Sequence, residues 1–181
     1  MTKLTRNLIF KKIVPIVSSK LINDEIILVT LHSNLLFVLK LLQNHVNYKY
    51  KVLSCISGVD LLDKKYRFCI AYDLLSIVFN TRIRVKTFVD ESNLVPSAIS
   101  IYVNANWWER EIWDLYGVYF NKHTDLRRIL TDYGFQGHPM RKDFPLYGYT
   151  EVCYNEKKKR ITSEVIQLTQ EFRNFSFEIS V

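Results

Sequence analysis

The feature that most constrains this chain is the run 131–148, which is rich in rings and has no period. It holds Tyr133, Phe135, Phe144 and Tyr147, three of the five glycines (Gly134, Gly137, Gly148), and Pro139 and Pro145. Each proline pushes the residue before it, His138 or Phe144, towards extended backbone. Neither a helix nor a strand survives such punctuation, yet the run is too aromatic for a flexible linker. Surfaces outside it must cover its rings. Directly upstream, residues 104–116 carry an apolar stripe, Trp108, Ile112, Leu115 and Tyr116, at helical spacing. Gly117 stands where a left-handed cap would end that helix. Arg110 and Asp114 are four apart and are expected to pair on its polar face. Between helix and run, Asp125, Arg127 and Arg128 crowd a short turn.

The rest reads as one α+β body. Residues 1–23 carry Lys3, Arg6, Lys11, Lys12 and Lys20 and no acid. With Leu4, Leu8 and Phe10 they are expected to form a retained amphipathic helix, although a transit peptide would share this pattern. Residues 25–32 are apolar and β-branched, a strand. Ser33 is expected to cap a helix whose stripe is Leu35, Leu36, Leu39 and Leu42. Residues 51–59, 66–79 and 82–89 are further strands. In the last, Ile83, Val85, Thr87 and Val89 alternate with Arg82, Arg84 and Lys86, so one face is wet. Ser97 is expected to start a helix that breaks near Asn104. Residues 149–154 and 160–167 flank a basic run, 157–160, as a hairpin. Phe172, Phe175 and Phe177 end the chain. The expected architecture is α+β: helices packed on a mostly antiparallel four-stranded sheet, followed by an extended C-terminal arm with a hairpin. The core domain spans 1–120 and the arm 121–181.

Composition enters through what it excludes. A net charge of +7 invites nucleic acid. But Asp125, Asp132 and Asp143 interleave with Arg127, Arg128, Arg141 and Lys142, supplying internal partners, so no nucleic acid is expected. The 157–160 run reads as a solvated turn, the alternative being a patch for acidic protein or RNA. No apolar run reaches the ~18 residues of a membrane helix. Cys55, Cys69 and Cys153 are isolated, without the roughly four ligands of an iron–sulfur cluster or structural zinc, and read as small buried hydrophobes. Glu109, Glu111, Asp114, His123 and His138 could do acid–base work. Glu109 and Glu111, however, sit on opposite sides of a helix, and Arg110 competes for Asp114. Paired structural charge is the stronger reading. There is no dinucleotide, phosphate-loop or serine-nucleophile motif. His32 and His45 are lone. What survives is an interaction function, in which planar Arg127, Arg128 and Arg141, with Asp143, fix a contact by geometry.

The motifs also carry a resemblance. EREIWDLYGVYFNKHTDLRRIL, DYGFQGHPMRKDFPLYGY and QEFRNF, with SGVDLLDKKYRF and NTRIRVKT upstream, are similar to one subunit family of respiratory complex I, the NADH:ubiquinone oxidoreductase. That family is known as subunit 9 or the 30-kDa subunit. The resemblance covers roughly residues 45–177. It implies a non-redox core scaffold of the peripheral matrix arm that supports the quinone-binding module. It implies partners among complex I subunits, chiefly the large quinone-site (49-kDa type) subunit and neighbouring iron–sulfur subunits, with membrane association only through the complex. NADH, FMN, iron–sulfur clusters and ubiquinone would belong to those partners, and no catalytic, cofactor or metal residue is expected on this chain. It implies the mitochondrial inner membrane and an organelle-encoded chain. Glu109, Arg110, Glu111, Asp114, His123, Arg127, Arg128, His138, Arg141, Lys142 and Asp143 match the motif positions and are expected to be interface or fold residues. The chain departs from the family where EVCYN replaces EVRYD, putting Cys153 and Asn155 for Arg and Asp. It departs again at Val165, where a proline is usual, and in its last residues.

Overall fold

The computed structural model describes residues 14–23, 25–167, 171, 173 and 175. The helix expected around Leu4, Leu8 and Phe10 lies outside them. The first described element is instead a strand, β1 (Ser18–Ile22), turning into β2 (Glu25–Thr30). Ile22 pairs with Glu25, and Asn23 has φ 46°, a left-handed conformation that asparagine tolerates. A turn of 3-10 helix, His32–Asn34, leads into α1 (Leu35–Asn44). The expected Ser33 cap does not form: Asn34 takes the cap position, with no side-chain capping bond. Leu35, Val38, Leu39 and Leu42 are buried, at i, i+3, i+4 and i+7. Each leucine so buried contributes about 2 kcal/mol. Leu36 packs at the edge of the core.

Residues 51–89 fold as a meander of β3 (Val52–Asp60), β4 (Phe68–Ser76) and β5 (Thr81–Val89). In β5 the expected alternation holds, with Ile83, Val85, Thr87 and Val89 buried. On its other face Arg84 reaches the directly opposed Asp73 through two bonds of 2.6 and 2.9 Å. The expected four-stranded, mostly antiparallel sheet needs correcting. Among the described residues the sheet has five strands in the order β1-β2-β5-β4-β3, and β2 pairs β5 in parallel. The reason is topological. The meander returns β5, not β3, to the edge of β2, and α1 with two strands lies between the paired segments.

After β5 come β6 (Val95–Pro96), α2 (Ala105–Tyr116) and β7 (Phe120–Asn121), with β6 and β7 paired in parallel. No helix starts at Ser97; residues 98–104 form turns. Three bonds tie this turn region down. Tyr102 Oη donates to Tyr50 O at 2.6 Å, Asn104 Nδ2 to Leu53 O at 2.7 Å, and Gln43 Nε2 to Ile101 O at 2.8 Å. Ala105 and Ile112 of α2 join α1 and the inward residues of the sheet in one core.

The chain divides into two compact units, Met1–Lys142 and Asp143–Val181. The second holds the expected hairpin, β8 (Thr150–Asn155) paired with β9 (Arg160–Val165). Phe144 and Tyr149 meet edge to face at 5.4 Å, and Tyr149 O accepts from Ile166 N–H at 3.2 Å. Of the expected C-terminal phenylalanines, Phe172 and Phe177 lie outside the described residues.

Candidate functional site

Helix α2 buries charge. Besides Ala105 and Ile112, its buried residues are Glu109, Arg110 and Asp114, while Trp108, Leu115 and Tyr116 of the expected stripe are only half-buried. Buried charge must be matched, and each of the three finds its match in a different segment. Glu109 accepts from Ser97 Oγ and from Ala98 N–H, both at 2.6 Å. Burial dominates these bonds and lifts its carboxyl to about 7. His123, its side chain fully buried, places Nε2 3.8 Å from Glu109. His123 Nδ1 accepts from Asp125 N–H at 3.1 Å, which leaves Nε2–H to reach Asn106 O at 3.2 Å.

Arg110 does not pair with Asp114. It donates to the carbonyls of Arg127 and Arg128, at 3.1 and 3.4 Å, and lies over Trp107. Asp114 turns to the 129–131 backbone. It accepts from Ile129, Leu130 and Thr131 N–H at 3.2, 2.8 and 3.0 Å, from Thr131 Oγ1 at 2.6 Å and from Arg128 at 2.9 Å. Burial alone would raise this carboxyl, but the Thr131, Leu130 and Ile129 bonds outweigh it and hold it at about 2. Arg128 also reaches Gly137 O at 2.9 Å and lies over Trp113 and Phe135.

The last carbonyls of α2 are capped by the 138–141 segment. His138 Nδ1 meets Asp114 O at 2.9 Å, Met140 N–H meets Leu115 O at 3.1 Å, and Arg141 Nε meets Tyr116 O at 2.6 Å. Burial is the largest influence on His138 and lowers its pKa. Gly117, at φ 78°, ends the helix as expected, its N–H bonded to Trp113 O at 2.9 Å. Space demands glycine there too: a Cβ would stand 2.5 Å from an Arg141 nitrogen and 2.7 Å from His138. Arg141 and Arg67 each lie 5.2 Å from the Phe68 ring. Lys142 is exposed, but its N–H binds Asp60 at 2.9 Å. The exposed Arg127 pairs with Asp125 at 2.9 Å, Glu111 is half-buried, and Asp143 is exposed at the start of the second unit.

Sequence reasoning missed Asp60, Arg67 and Glu91. Buried Asp60 takes two bonds from Arg67, at 2.8 and 3.0 Å. The Arg67 hydrogen bonds, more than anything else, lower its pKa. Glu91 meets Arg67 at 2.6 Å and Arg141 at 3.4 Å. The signal was the SGVDLLDKKYRF motif itself, whose acid ends β3 and whose arginine immediately precedes β4.

Among the described residues, the acid–base groups bond to neighbouring segments as set out above. A groove of about 340 Å³ is lined by Leu36, Phe37, Lys40, Gln43, Ser100 and Ile101, with none of them present. What the arrangement does is fasten residues 121–142 along α2.

Residues 28–150 match the family described as the respiratory-chain NADH dehydrogenase 30-kDa subunit. This chain belongs to that family. It is 58% identical over 151 residues to NADH-ubiquinone oxidoreductase subunit 9 of Reclinomonas americana, covering 82% of this chain and 74% of that one. It is 55% identical over 133 residues to NADH dehydrogenase [ubiquinone] iron-sulfur protein 3 of Solanum tuberosum, covering 74% and 70%. Its fold resembles that of a trypsin-resistant fragment (1-134) of Nqo5, with TM-score 0.55 and 24% identity, over 69% of this chain and all of the fragment. One relative's name mentions an iron–sulfur protein; the thiols of this chain are few and separated. A cluster needs about four thiolates, and the chain has three cysteines. Cys55 opposes Asp73 and Cys69 opposes Val59, four residues apart along β4, and Cys153 is exposed in the second unit rather than buried.

Proposed function

We propose that this chain is a non-redox core scaffold of the peripheral, matrix-side arm of respiratory complex I. In this reading it supports the quinone-binding module as electrons pass from NADH to ubiquinone with proton pumping. One observation carries the reading. The buried charges of the motif bind within the chain, while apolar side chains of the same stretch stand in solvent. Leu130 is 62% exposed, Tyr133 fully and Met140 53%. Tyr133 is held outward by a turn, in which Phe135 N–H reaches Asp132 O at 3.1 Å and Gly134 takes φ 73°. A preformed aromatic knob costs little to order on binding, as suits a permanent interface.

The core domain is then 1–120, and 121–181 is the arm that packs on partner subunits. The motif residues from Glu109 to Asp143 act by shaping that surface. The partners are the large quinone-site subunit and neighbouring iron–sulfur subunits, which hold NADH, FMN, the clusters and ubiquinone. The chain contributes to NADH:ubiquinone reductase activity only as part of the assembly, with no catalytic residue of its own. No helix among the described residues is long and apolar enough to cross a membrane; attachment to the mitochondrial inner membrane runs through the complex. Electron tunnelling falls steeply with distance, so a rigid scaffold sustains the rate without touching an electron.

The test is native-gel separation of gently solubilised mitochondrial membranes, blotted for this chain and stained for NADH oxidation. The chain is expected only in a large NADH-oxidising band. A small soluble species would overturn the reading.

A further inference from the structure

The β8–β9 hairpin carries a feature that the site along α2 does not use. Thr150 opposes Val165, Val152 opposes Ser163 and Tyr154 opposes Ile161. Strand alternation therefore puts Val152, Tyr154, Ile161 and Val165 on one side, and Glu151, Cys153, Thr162 and Glu164 on the other. The four apolar side chains are 67, 60, 70 and 78% exposed. A two-stranded hairpin in water is marginal until its apolar side is covered.

That strip runs into the turn residues Lys157, Lys158 and Lys159, while Arg160 opposes Asn155 on the other side; all four basic residues are exposed. The basic turn is ordered. Asn155 Oδ1 accepts from the N–H groups of Lys157 and Lys158, each at 3.1 Å, and Lys159 takes φ 45°. In residues 143–181 the positive charge is gathered at this tip, Arg173 excepted, while Asp143, Glu151, Glu156, Glu164, Glu171 and Glu178 are scattered.

We propose that the hairpin docks on a partner protein, its apolar side in a groove and its lysine turn against a carboxylate cluster at the groove's end. Charge complementarity selects the acidic partner. The layout selects a protein over a lipid surface. The apolar residues lie along the strands and none at the tip, so a bilayer meeting the lysines first would leave the strip wet. Glu151 and Glu164 oppose each other on the far side, a like-charge pair that favours water there. The proposal rests on the scaffold reading and deepens it by naming the chemistry of one contact.

The test uses the full chain in cells lacking the native copy. Tyr154 is replaced by p-benzoylphenylalanine, the assembled complex is irradiated, and the cross-linked peptides are sequenced. Cross-links to another subunit, in a segment with clustered Asp or Glu, are expected. The triple change Lys157→Glu, Lys158→Glu, Lys159→Glu is expected to lower the assembled fraction at moderate salt about tenfold. The matching triple change to Arg should assemble normally, and both should melt as the native chain does. Cross-links to phospholipid or to this chain alone, or normal assembly of the charge-reversed variant, overturn the proposal while the native chain still runs in the NADH-oxidising band. If the native chain is itself absent from that band, the scaffold reading fails and this contact with it.

Discussion

At Asp114 one carboxylate collects three consecutive backbone N–H groups, the Thr131 hydroxyl and Arg128. Its folded pKa of about 2 lies below the ordinary 3.8, so ionisation favours the fold. That contribution, about 2 kcal/mol, is complete above pH ~4 and is lost as pH falls towards 2. Denaturant unfolding across pH 2–6 should show this acid limb, and Asp114→Asn should flatten it. Glu109 works in the opposite sense. Its carboxyl rises from 4.5 to about 7 on folding, so the native state holds more protons than the unfolded chain between those values. Stability should therefore fall by about 3 kcal/mol as pH rises from 4.5 to 7. Glu109→Gln should remove that fall; an unchanged slope would assign it to another group.

At the scale of elements, α2 is fixed by what lies beyond its C-terminus. Gly117→Ala meets both a positive φ and the crowding of Arg141 and His138, and should cost at least about 2 kcal/mol by thermal unfolding. Gly134→Ala is the comparison: φ is 73° with nothing within 4 Å, so only backbone strain of about 1 kcal/mol is expected. Arg141→Ala should speed amide exchange at Met140 in the isolated chain, because the guanidinium anchors the segment to Tyr116 O; unchanged exchange would mean the anchor lies elsewhere. These elements also mark how far the sequence could be read. The alternation of 82–89, the helix ending at Gly117 and the hairpin were legible because each is written in a local period or a turn residue. The parallel union of β2 with β5 was not, since an apolar strand does not encode its neighbour. Nor was the partner of Asp114. Helical spacing pointed to Arg110, whereas a row of backbone N–H groups from 129–131 has no signature in side chains. Ser97 looked like a cap because its hydroxyl suits one, yet it serves a carboxylate on a later helix.

For the whole molecule, the division at Lys142 has a direct consequence for proteolysis. The exposed Lys157–Arg160 tip should be cut first by trypsin in the isolated chain, with the remainder of the second unit trimmed back towards Lys142 afterwards, and should be shielded in the assembly. Equal cleavage in both states would count against burial of the hairpin in the complex. The sheet order has another consequence, for how the molecule is made. Of the five strands β1 and β2 leave the ribosome first, yet the parallel partner of β2 is the last to emerge. While α1, β3 and β4 are being synthesised, the leading hairpin must wait with one edge of β2 lacking its partner strand. Slower translation over that interval is then expected to lengthen the time that this edge stands open to pairing with another chain.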